Sequence, residues 1–307
     1  MQSLILYLAL ALAVYKGAKI FNNERNFQFF SVISILLSPV LIYFVKLSQI
    51  PSTLILSIAV IATIILMNAK VHYSAVFALI VISYLYYPLS PLIFIPLILI
   101  SLVFFQGKDS LKSKFVFLGI VLLVSIASLI VYYQRDSNGF KNLFSIYNHI
   151  GIINGVNASR GMGIENGWPL FLEKIFFNQS WYIVSGFFTW LSNISIYKFF
   201  GLDYTYSKDF LENLTLFPRV FIIPFLLGLV SIIRSNIKKS WLLPIFSFIP
   251  LLPFMFVYPS IPKLSYLPSL PFIAFIVSFG FISLNKYLRI LILFFAFLEA
   301  LITLIYV

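Results

Sequence analysis

Long apolar stretches separated by short polar segments run the length of the chain. A helix needs about 20 apolar residues to cross a bilayer, with about 17 as the usual lower limit. On that measure the pattern predicts spans over 2–15, 28–45, 52–69, 72–87, 89–105, 115–133, 219–233, 241–258, 264–284 and 289–306. The stretch 72–105 admits another parse, because Pro88, Pro91 and Pro96 crowd it. The fold class expected is all-α: a polytopic α-helical membrane protein of about ten transmembrane helices with one large outer loop. Three regions follow, an N-terminal membrane domain over 1–133, an extracytoplasmic loop over 134–218 and a C-terminal membrane domain over 219–307.

The polar segments give the spans a direction. Alternate loops carry Lys16, Lys19 and Arg25; Lys70; Lys108, Lys112 and Lys114; Arg234, Lys238 and Lys239; and Lys286 and Arg289, opposed only by Glu24 and Asp109. The intervening short loops hold Lys46, no charge, and Lys263. Cytoplasmic loops are enriched in Lys and Arg, so the first set is expected in the cytoplasm and both termini outside.

The same rule puts 134–218 outside. All four Asn-x-Ser/Thr sites, at Asn157, Asn178, Asn193 and Asn213, fall within it, and such sites, when used, mark a non-cytoplasmic face. Within the loop, Trp181–Phe200 is apolar, but a single crossing there would break the charge alternation. It is read, with Trp168–Phe177, as amphipathic or re-entrant helix at the outer surface. Trp168, Trp181, Tyr182 and Trp190 suit an interface, either as anchors or as rings that stack on a substrate. The run Gly151–Gly167 is expected to be a mobile acceptor loop.

Composition agrees with a lipid environment: 61% of residues are hydrophobic and 10% charged, against about 25% charged in soluble domains. The net charge of +12 is spread singly or in threes between apolar stretches, which argues against nucleic acid. There is no cysteine, and His72 and His149 are the two histidines, so thiolate chemistry and histidine-rich metal sites are excluded. The first apolar segment is followed, not preceded, by Lys16 and Lys19, and is expected to be a retained span.

Trp241–Phe281 contains the run Lys263-Leu-Ser-Tyr266-Leu267-Pro268-Ser-Leu-Pro271. This run resembles the C-terminal membrane region of GT-C glycosyltransferases, in particular aminoarabinose transferases of lipid A and protein O-mannosyltransferases. There a Trp-bearing span is followed by a short loop with Lys or Arg and a Tyr-Leu-Leu-Pro-x-x-Pro-like helix start. Leu37-Ser38-Pro39 and Pro51-Ser52-Thr53 also resemble that family's third and fourth helices. Compared with the family pattern, the chain starts at what would be the second span. The expected catalytic acidic residue of the first outer loop is therefore absent. A truncated or split gene, a second chain supplying the missing piece, or a non-catalytic relative would each account for that.

The resemblance implies sugar transfer from a polyprenyl-phosphate donor to an acceptor on the outer face. That chemistry needs a carboxylate to deprotonate the acceptor and cations or a metal for the departing phosphate. Lys263 is the expected phosphate contact, with Tyr266 in the same matching run. Arg135 and Arg219 are further candidates, or are residues that snorkel and anchor helix ends. Asp136, Glu165 and Asp203 are the outer acidic residues available as base or as ligands of a divalent cation, or are solvated loop charges. Glu299, inside the last span, motivates an alternative: a transporter or flippase for lipid-linked or small substrates. A non-catalytic structural membrane subunit is the third reading.

Overall fold

The computed structural model describes residues 2–69, 73–105, 111–169, 171, 181–194, 196–201, 214–235, 238–257 and 262–306. Lys70, His72, Lys108, Asp109, Asn178, Asp203 and Asn213 lie outside them. Every described element is helical. The α-helices are α1 Gln2–Phe21, α2 Arg25–Leu36, α3 Pro39–Lys46, α4 Ser52–Asn68, α5 Tyr73–Tyr86, α6 Ser90–Phe104, α7 Leu111–Arg135 and α8 Ser137–Asn142. They continue with α9 Ile150–Glu165, α10 Trp181–Asn193, α11 Ile196–Phe200, α12 Ile222–Arg234, α13 Leu242–Phe248, α14 Leu270–Ser283 and α15 Lys286–Tyr306. Short 3-10 turns cover Ser145–Asn148, Arg219–Phe221, Lys238–Trp241, Ile249–Phe254 and Lys263–Ser269.

All ten expected segments are helical, but not all are long. Among the described residues four helices are long and apolar enough to cross a membrane: Gln2–Phe21, Ser113–Arg135, Lys263–Ser283 and Lys286–Ile305. The pair α2–α3 makes a fifth when taken as one span broken by a 53° bend. The expected single span 28–45 is thus two helices. Pro39 has no N–H to donate and its ring clashes with the preceding turn. Carbonyls freed at the break find other donors: Ser38 N donates to Ile35 O at 3.1 Å, and the Tyr7 hydroxyl donates to Leu36 O. The Ser38 hydroxyl in turn donates to Leu216 O at 2.7 Å, as irregular backbone inside a membrane requires. α4, α5 and α6 stay below 18 residues; at 1.5 Å per residue α4 is about 26 Å long, short of a bilayer core of about 30 Å.

α14 is the centre of the molecule. Its run from Leu270 to Phe281 is buried throughout, and the most apolar 18 residues of Lys263–Ser283 are 94% buried against 17% for those of Lys286–Ile305. A helix apolar on all sides has to be surrounded, and α12, α2 and α13 supply the surround. The α12–α14 crossing is a backbone contact. A Cβ on Gly228 would stand 1.9 Å from the Ile276 carbonyl oxygen, and one on Gly280 1.7 Å from that of Pro224. Small residues allow this closeness where apolar association between helices gives no hydrophobic gain over lipid. On the other side, Phe27 and Phe30 of α2 meet Phe275, Phe279 and Phe281 of α14.

Contacts at helix ends sort into two groups. At one end, Lys239 Nζ donates to Asn68 Oδ1 at 2.9 Å and lies 5.1 Å over the Phe105 ring. Arg289 donates to Leu284 O and Ile282 O and sits 5.7 Å over Phe30, a basic cap on the last carbonyls of α14. At the other end, Lys46 Nζ meets Leu304 O and Tyr266 packs edge-on against Phe199.

Between α7 and α12 the chain forms a layer at the Lys263 end. The glycine-rich run is not a loop. It is α9, closed by a Schellman turn in which Gly167 (φ 72°) donates to Ile164 O and Trp168 N to Gly163 O. α10 docks on the proline-bearing 249–254 turn. Trp190 Nε1 donates to Leu251 O at 2.9 Å, Ile146 N to Phe256 O at 3.1 Å, and Tyr147 packs 4.6 Å from Tyr182. Trp190 and Tyr182 therefore act as anchors of the layer.

Candidate functional site

The segment Lys263–Ser269 leaves an extended Pro262 (ψ 134°) and winds as a 3-10 turn straight into α14. A turn with Pro268 inside it cannot make the full α-helical ladder. Ser265 through Ser269 are buried and Lys263, at its mouth, is half-buried. Tyr266 is 2% exposed, its ring perpendicular to Phe199 at 5.5 Å. That places it in the packing between this turn and α11.

Tyr87, just after α5, lies beside the Ser265 side chain and in the vicinity of Tyr132. Tyr132 in turn faces the Asp136 carboxylate. Asp136 is the N-cap of α8 and accepts from Gly139 N at 2.7 Å through Oδ1. Its Oδ2 and the Tyr132 hydroxyl converge beside Gly139, where a Cβ would stand 2.1 Å from the first and 2.6 Å from the second. Glycine is the residue that leaves this space to the two oxygens.

Among the described residues the hydroxyls of Thr53, Ser90, Ser101 and Ser269 are buried without a hydrogen-bond partner. Thr53, Ser90 and Ser269 sit at the start of α4, the start of α6 and the end of the 263–269 turn, elements that pack on one another or on a shared neighbour, and Ser101 lies further along α6. Buried hydroxyls nearly always have partners, so these four mark polar capacity to spare within the apolar core.

The other expected residues fall elsewhere. Arg135 ends α7, exposed and adjacent in the chain to Asp136. Glu165 is the exposed last residue of α9, and no described contact joins it to Asp136. Arg219 belongs to a second cluster, in which Glu299 accepts from Arg219 N at 2.8 Å and from the Thr215 hydroxyl at 3.3 Å. Gly201 (φ 65°) turns beside the same residues, its Cβ position 2.2 Å from Thr215 Cγ2. Glu299 thus pins the 215–219 segment to α15. Asn157 is exposed on α9, and Asn193 is the last residue of α10. Among the described residues no group of three or more His, Asp or Glu side chains could hold a metal ion.

Tyr87, Tyr132, Ser265 and Gly139 were not singled out by sequence. For Tyr132 there is a signal: it precedes Asp136 by four residues, the spacing that puts two side chains on one helix face. Tyr87 and Ser265 lie 178 positions apart in the chain, and only tertiary packing brings them together. No protein-family model matches the chain, and no curated protein or solved structure shows significant similarity to it.

Proposed function

We propose that the chain is a polytopic membrane protein of about ten crossings whose Lys263 end faces away from the cytoplasm. There, as the GT-C resemblance implies, it acts on a lipid-linked substrate, moving a sugar from polyprenyl phosphate to an acceptor. One observation carries this reading. Ser265 lies beside Tyr87, Tyr87 near Tyr132, and the Tyr132 hydroxyl beside the Asp136 carboxylate, which brings the family-like turn into the same region as a carboxylate far away in the chain. The sorting of helix-end contacts into two groups supports the crossing number.

In this scheme the acceptor oxygen attacks the anomeric carbon. The bond from that carbon to the phosphate oxygen breaks, and the polyprenyl phosphate leaves with the electron pair. Asp136 takes the acceptor proton on the oxygen that faces Tyr132, its other oxygen being held by Gly139 N. Lys263 stabilises the charge gathering on the departing phosphate. Tyr87 and Tyr132 orient the hydroxyl of the acceptor between them. The hydrogen bonds of Glu299 to Arg219 N and Thr215 account for that carboxylate without a transport step.

The test uses the purified chain in nanodiscs with a polyprenyl-phosphate-linked sugar, measuring donor binding and release of polyprenyl phosphate. Asp136→Asn is expected to slow release about 10²–10⁴-fold, the usual span for a lost general base, with donor binding unchanged. Lys263→Ala is expected to weaken donor binding. Binding no tighter than to the same polyprenol without phosphate would defeat the reading, as would two variants indistinguishable from the native chain.

A further inference from the structure

The layer between α7 and α12 contains one helix whose two faces differ in an unusual way. α10 has the sequence Trp-Tyr-Ile-Val-Ser-Gly-Phe-Phe-Thr-Trp-Leu-Ser-Asn, with no charged residue. One face is docked: Gly186 lies so close to Phe256 that a Cβ would stand 2.8 Å from its ring, and Trp190 donates to Leu251 O. The opposite face carries Ile183, Val184, Phe187, Phe188 and Leu191, all exposed, from 43% to 64%. Their offsets of one, four, five and eight positions make one helical stripe.

What covers that stripe is decided by its surroundings. At 13 residues and 1.5 Å per residue the helix is about 20 Å long and cannot cross a bilayer. The apolar 241–254 segment it docks on shows its own exposed stripe, Trp241, Ile245, Phe248 and Leu252. Ile194, one residue past α10, and Phe248 of that stripe line the same apolar cleft of about 230 Å³, which α12 and α14 complete. Two exposed apolar stripes that meet at one cleft, without a charge along α10, match hydrocarbon and offer nothing for ion pairing to a soluble partner.

We infer that α10 is sunk by its Ile183–Leu191 stripe into the hydrocarbon of the leaflet at the Lys263 end. The layer above the spans is then partly a lipid-embedded structure, not a water-facing domain. Its helix grips the proline-bearing 249–254 turn from the membrane side through Trp190.

The absence of cysteine from the chain makes the test direct. Single nitroxide labels are placed at Val184→Cys and Phe188→Cys in the full chain, reconstituted in phosphatidylcholine vesicles. Leu123→Cys on the exposed face of α7 and Asn138→Cys on α8 serve as hydrocarbon and water references. Collision with oxygen and with a water-soluble nickel chelate is measured at each site. The expected result is an oxygen-to-nickel ratio at 184 and 188 matching that at 123 and well above that at 138. Nickel access equal to position 138 would put the stripe in water and overturn the inference. Exclusion of both reagents would overturn it as well, by showing a second copy or another chain packed on the stripe.

Discussion

Asp136 has two roles that one substitution can separate. As N-cap of α8 it accepts from Gly139 N, and Asn fills an N-cap about as well as Asp, whereas Ala loses about 1 kcal/mol there. Asp136→Asn should therefore leave thermal stability unchanged while Asp136→Ala lowers it modestly, as a melting curve in detergent would read. Equal melting of all three proteins would show that the cap adds nothing. Glu299 is the second informative residue. Glu299→Gln keeps an acceptor for Arg219 N and the Thr215 hydroxyl, so it should fold and melt close to the native chain. Glu299→Leu strands the hydroxyl of the buried Thr215 as well as Arg219 N, and a buried donor without a partner costs about 1–3 kcal/mol. A Glu299→Leu protein that melts with the native chain would refute the pinning of 215–219 to α15. Both residues are visible in sequence as isolated carboxylates beside or within apolar helices. Their partners are not, because Thr215 and Arg219 reach Glu299 only after 80 or more positions of chain have folded back.

At the scale of elements, the α12–α14 crossing governs. Its two glycines face backbone carbonyls, not flexible side chains, so no rotamer change makes room for a Cβ. Gly280→Leu should prevent accumulation of a monodisperse protein in detergent, since forced overpacking costs about 1–3 kcal/mol or more. Gly119→Ala is the matched control: nothing lies within 4 Å of its Cβ position on α7, and a helix gains up to about 1 kcal/mol from the exchange. Equal behaviour of the two variants on size exclusion would mean that the crossing is looser than the structure has it. The element positions were legible because apolar length is a local property, and each of the ten expected segments is helical. The glycine-rich run was misread because glycine content speaks for loops only on average. In α9 the helical ladder holds through Gly151, Gly155, Gly161 and Gly163, and it is Gly167, with its positive φ, that ends the helix.

For the whole molecule, the contacts of Lys239 with Asn68 and Phe105, and of Lys46 with Leu304, define two ends that the charge pattern assigns to opposite sides of a membrane. Single cysteines at Asn157 and at Arg234 should then react with a membrane-impermeant maleimide from opposite sides of sealed cells, Asn157 without lysis and Arg234 after it. Labelling of both from the same side would undo the topology and the proposed outer site with it. The candidate site is likewise a whole-molecule property. It draws on the α7–α8 junction, the turn after α5 and the 263–269 segment, three places well apart in the sequence.

By itself the sequence determined that the chain folds as apolar helices suited to lipid, where those helices lie, and which of their ends carry the cations. These follow from hydropathy, chain length and charge, which act within one segment at a time. Tertiary structure decided which helix is central, where the α2–α3 span bends and how its carbonyls are satisfied. It also decided that Asp136 stands beside Tyr132 while Arg219 is tied to Glu299. Such pairings depend on side chains meeting across hundreds of positions, and an apolar helix carries no pattern that names the neighbour on which it will pack.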